Sequence, residues 1–163
     1  MLYREADEFN THLFHEGTAR SAYEYMGAHA ATHDGMAGYM FRVWAPRAQA
    51  VSVVGDFNSW DAAANPMEKI TQGIWECFIP GGKVYDAYKF AVKGAGGETH
   101  LKADPYAFHC ETRPGTASKL YQMDNYPWND AAWRSARSKQ PIYNAPLNIY
   151  EVHLGSWRTN EDG

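Results

Sequence analysis

The chain has 163 residues, with 15 Lys+Arg against 19 Asp+Glu and a formal net charge of -4. That balance excludes recognition of nucleic acid through a basic face, and no apolar run nears the ~20 residues of a membrane helix. Aromatic residues make up 15%, including 6 Trp and 11 Tyr; such rings pack apolar faces while hydrogen-bonding through polar edges, and they are the residue types that stack on sugars.

Residues 1–36 read as a helical segment. Leu2, Ala6, Phe9 and Leu13 recur at helical spacing, and Gly17 ends the run. Ser21 and Glu24 fit a capping box for a second, short helix before Gly27. His29 to Gly38 reads as a turn into a strand. From Gly38 the hydrophobic period becomes two. In GYMFRVWAP, Tyr39, Phe41 and Val43 share one face, and Pro46 ends the strand. AVSVVGDFNSW places Val51 and Val53 on one face before a polar turn at Gly55–Asn58. IWECFIP is a third strand. VYDAYKFAVKG is a fourth, with Tyr88, Phe90 and Val92 opposite Lys89, and GAGGE is its hairpin turn. SKLY supplies a last strand. Short strands with Gly and Pro punctuation predict an all-β fold, a β-sandwich over residues 37–123.

Residues 124–148 read as a linker with a short helix near Asp130–Arg137, where Asp130 is the cap. NIYEVHLGSW then opens a last strand, over residues 149–163, with Ile149, Glu151 and His153 on one face. Two settings fit Glu151 and His153: the inner side of a parallel barrel strand, or an edge strand in water.

His12 with His15, and His29 with His33, have the spacing of zinc ligands but lack a third ligand. Gly94, Gly96 and Gly97 follow a strand but precede no helix, so a hairpin turn fits better than a phosphate loop. Ser156 lies outside any nucleophile elbow. No metal, cofactor or catalytic residue is expected. Cys77 and Cys110, 33 positions apart, read as reduced cysteines of a cytoplasmic protein, and no signal peptide is visible at the start. Trp60, just after the GDFN turn, reads either as a staple over the sheet edge or as a platform for a sugar ring.

HLFHEGTARSAYEYMGAH, YMFRVWAPRAQAVSVVGDFNSW, ADPYAF, WND and IYEVHLGSWR together resemble the N-terminal part of bacterial 1,4-α-glucan (glycogen) branching enzymes. FRVWAP with GDFNSW alone resembles a glycogen-binding-type carbohydrate-binding module of family 48, shared with isoamylases. The resemblance implies an immunoglobulin-like sandwich leading into a (β/α)8 barrel, with IYEVHLGSW as its first strand. It implies glycosyltransferase chemistry in glycogen biosynthesis: an α-1,4 link is cleaved and the segment rejoined through an α-1,6 bond, by paired carboxylates as in a retaining glycosidase. Those carboxylates belong to later barrel strands, and a barrel needs ~250 residues. The 163-residue chain is therefore expected to be inactive by itself, an orphan barrel strand at its end.

The resemblance also implies a sugar site. Trp60 matches the ring after the glucan-binding turn, and Lys89, in YKF, matches a lysine that hydrogen-bonds sugar hydroxyls. The family's second ring falls where this chain has Gly96, Gly97 and Glu98, and for an Asn near the last strand Ser118 lies closest. The implied partners are α-1,4-glucan, bound weakly, and the catalytic barrel, with neither nucleic acid nor membrane. Two other readings stay open: a stand-alone glucan-binding module that targets a partner to glycogen, and a purely structural domain.

Overall fold

The side chains that alternate along the strands meet between two antiparallel sheets. The computed structural model describes residues 8–123, 126–139, 142–144 and 146–158. In one sheet the order is β1 (Gly27–His33), β2 (Met36–Trp44), β5 (Ile74–Pro80), β4 (Glu68–Thr71). In the other it is β3 (Ala50–Gly55), β6 (Ala87–Lys93), β9 (Ser118–Lys119), β8 (His109–Cys110), with β7 (Thr99–Lys102) also paired to β6. Phe41 and Val43 of β2, Trp75 and Ile79 of β5, Val51 and Val53 of β3, and Tyr88 and Phe90 of β6 form one buried core. Fully burying each such aliphatic or Phe side chain is worth roughly 1.5–3 kcal/mol. The fold is thus an all-β sandwich.

β2 is buried on both faces. Its second face is covered by the segment before β1, where Ala22, Tyr25 and Met26 make a smaller cluster with Ile74 of β5. Arg42 is buried there, paired with Glu76 and donating to the carbonyl of Tyr25. A buried guanidinium needs such partners to offset its lost hydration.

The N-terminal region departs from the helical reading. α1 spans Glu8–His15, while Leu2 and Ala6 lie outside the described residues. Ala22–Glu24 is a single 3-10 turn, and Ser21 makes no side-chain cap bond, so the capping box does not form. Residues 27–33 are not a turn but the edge strand β1, paired with β2 from Gly27 opposite Arg42 to His33 opposite Met36. The two strands are joined through Asp34 and Gly35, both at positive φ, the backbone of a tight Asp-Gly hairpin. GAHAATH carries little hydrophobic alternation, and its pairing with β2 decides its state. The GAGGE turn does close a hairpin, with Gly94 N–H donating to Glu98 O at 2.9 Å.

The chain divides into two compact units, Met1–Asn125 and Tyr126–Gly163. In the second, α2 covers Ala131–Lys139 and α3 is one turn at Leu154–Trp157, neither with a buried side chain. The strand expected from Ile149 is absent: residues 146–153 pair with no strand, and Leu154 to Trp157 are helical. A parallel strand needs neighbours on both sides to satisfy its backbone, and the described residues of this unit include no other strand.

Candidate functional site

The Trp60 turn begins where β3 meets β6. Gly55 stands opposite Tyr88, and a Cβ on it would lie 2.5 Å from the carbonyl of Ala87. Asp56–Asn58 form a 3-10 turn, after which Ser59 and Trp60 both adopt left-handed backbone, φ 56° and 62°. Non-glycine residues take that region only where their surroundings hold them. Asn58 supplies much of the hold. Its Oδ1 accepts from Gly55 N–H at 2.9 Å, and its Nδ2 donates to Val53 O at 2.9 Å and to Asn65 Oδ1 at 2.7 Å. Trp60 N–H closes the turn on Gly55 O at 3.0 Å.

Asp56 then fixes the ring. Its Oδ1 accepts from the indole N–H of Trp60 at 3.0 Å, and its Oδ2 accepts from Ala87 N–H at 2.8 Å. Trp60 remains 39% exposed. Lys89 lies two residues beyond Ala87, opposite Val54, and so projects from the same side of β6 as Ala87, away from the core-facing Tyr88 and Phe90. Its Nζ donates to Thr116 Oγ1 at 2.6 Å. Ala91, next on that face, pairs with Leu101, which is 53% exposed.

The fold thus attaches Trp60 and Lys89 to one end of one strand. Asp56, Thr116 and Leu101 were not legible as site residues. Asp56 had a signal in the GDFN turn, whereas Thr116 is 27 positions from Lys89 and meets it only through the β6–β9 pairing. Gly96 and Gly97 sit in the hairpin turn at the far end of β6 and offer no ring. Ser118 is fully buried, its hydroxyl accepting from Asp104 N–H at 2.9 Å, so it cannot reach a ligand.

Other reactive groups serve packing. Burial pushes the Cys77 thiol up to about 12, so it is no nucleophile at neutral pH. Asp104 accepts from the Tyr88 hydroxyl at 2.6 Å and from Tyr106 N–H at 2.8 Å, and burial raises its carboxyl to about 6. Among the described residues no group of three His, Cys, Asp or Glu side chains could hold a metal ion, and no helix is long and apolar enough to cross a membrane.

The chain is 46% identical over 157 residues to the 1,4-alpha-glucan branching enzyme GlgB of Halothermothrix orenii, covering 96% of this chain and 25% of the relative. It is 48% identical over 153 residues to GlgB of Oleidesulfovibrio alaskensis, covering 93% and 24%. The chain therefore spans about a quarter of the length of these relatives, matching their N-terminal part. A Salmonella typhimurium protein described as an alpha amylase shares the fold, with a TM-score of 0.52 at 20% identity over 66% of this chain and 16% of that one. Residues 25–107, from the base of β1 through the Trp60 turn and β7, match the model of carbohydrate-binding module 48, the isoamylase N-terminal domain, and the chain belongs to that family.

Proposed function

We propose that this chain is the glucan-binding N-terminal module of a cytoplasmic 1,4-α-glucan branching enzyme, binding α-1,4-glucan through Trp60 and Lys89. The observation that carries the reading is the Asp56 clamp. It ties the polar edge of the indole to the strand that carries Lys89 and leaves the ring 39% exposed. A sugar ring presents C–H bonds to the indole and hydroxyls to the ammonium group. A single stacked ring adds about 1 kcal/mol beyond the area it buries, far short of the roughly 8 kcal/mol that micromolar affinity needs, so binding is weak. The partner in the whole enzyme is the catalytic barrel, a reading supported by the relatives' fourfold greater length. The location is supported by two unpaired cysteines.

Titration with maltoheptaose tests the site. Saturable binding in the millimolar range is expected, and the part of it made at this turn is lost in Trp60→Ala with the far-UV spectrum unchanged. Full binding by that variant would move the site away from Trp60.

A further inference from the structure

A cleft of about 570 Å3 opens where β2 ends and β3 begins; Trp44, Pro46, Arg47, Ala48, Val92 and Ala95 are among its walls. That size falls within the range of small-molecule sites. Trp44 is 50% exposed, and its indole N–H donates to Gln72 O at 3.2 Å. Phe14 and His15 of α1 meet the ring edge-to-face, at centroid distances of 5.9 and 6.5 Å. The adjoining wall is equally fixed. Ala45 N–H donates to Gly73 O at 2.8 Å, and Ala45 O accepts from the Trp75 indole at 3.0 Å. Gly73, at φ +91°, packs so closely that a Cβ on it would lie 2.5 Å from Pro46 Cα. A site whose walls are set before binding loses less entropy on binding.

Arg47 supplies the polar side. It is exposed and, among the described residues, makes no ion pair. No carboxylate lines the cleft. A phosphate site would gather several cationic or N–H donors. One guanidinium fork, an indole and an apolar floor instead suit a neutral, polyhydroxylated ring.

We propose that the Trp44–Arg47 cleft is a second glucan-binding site; the inference rests on glucan being the ligand of this module. The two sites lie at opposite ends of the β3–β6 pair, one beside Ala50 and Lys93, the other beside Gly55 and Tyr88. Six residues of strand separate them by roughly 20 Å. One long glucan chain that reached both would bind more tightly than either site alone.

The test is a titration of the 15N-labelled chain with maltoheptaose. It follows the indole N–H resonances of Trp44 and Trp60, assigned with Trp44→Phe and Trp60→Phe. Both resonances are expected to move, and the Trp44 shift should persist in Trp60→Ala. Arg47→Ala should weaken binding read at Trp44 about three- to tenfold, the effect of one lost hydrogen bond, and leave the Trp60 titration unchanged. Movement of Trp60 alone, or loss of the Trp44 shift in Trp60→Ala, overturns the second site and leaves the first intact. Movement of Trp44 alone upholds the second site and overturns the Trp60 placement. If neither resonance moves, both fall.

Discussion

Asp56 and Trp60 are joined by a 3.0 Å hydrogen bond from the indole N–H to one carboxylate oxygen, while the other oxygen takes the main-chain N–H of Ala87. One side chain thereby orients the ring and locks the Trp60 turn to the strand that carries Lys89. In Asp56→Asn only one oxygen remains, so one of the two donors loses its acceptor. Weaker maltoheptaose binding, by severalfold, is expected with a stability loss of about 1 kcal/mol. Fluorescence titration and urea unfolding read the two effects separately.

Asn58 is a packing residue of the same turn. Asn58→Ala strands Gly55 N–H, Val53 O and the side chain of Asn65 together. Each unsatisfied buried group costs about 1–3 kcal/mol, and these groups are only part-buried, so a total loss of roughly 2 kcal/mol is expected. The urea midpoint should fall with the slope unchanged.

Asp104 makes stability depend on pH. Burial raises its folded value to about 6 from 3.8, so the fold retains a proton that the unfolded chain releases. Its contribution is complete below about 3.8 and declines as pH rises through about 6. Across that window it amounts to roughly 2–3 kcal/mol. Asp104→Asn, which cannot titrate, should show a flatter profile over the same range. Unfolding free energies of both proteins between pH 3.5 and 7 (about the window of the shift) give the comparison.

Residues Met1–Asn125 form a unit by themselves, and no side chain of α2 or α3 is buried. A chain ending at residue 125 should unfold cooperatively, with an extrapolated stability within about 10–15% of the full chain, the error of the extrapolation itself. A large loss would make the second unit an integral part of the sandwich.

Strand alternation, the GDFN turn and the GAGGE hairpin were written in local sequence, because side-chain period and turn chemistry act over a few residues. Trp60 stood out by its place after the GDFN turn, whereas Lys89 became a candidate only through the family resemblance. The partners of these residues were not legible. Thr116 meets Lys89 only because β9 pairs with β6, and the Ala87 N–H reaches Asp56 only because β3 pairs with β6 across 31 positions. β1 shows the same limit, since its alanines state no preference until β2 offers its edge. IYEVHLGSW shows the converse: its strand pattern is plain in sequence, yet residues 146–153 stay unpaired. A strand is stabilised by neighbours that local sequence cannot supply, so pattern sets the tendency and tertiary pairing decides whether it is realised.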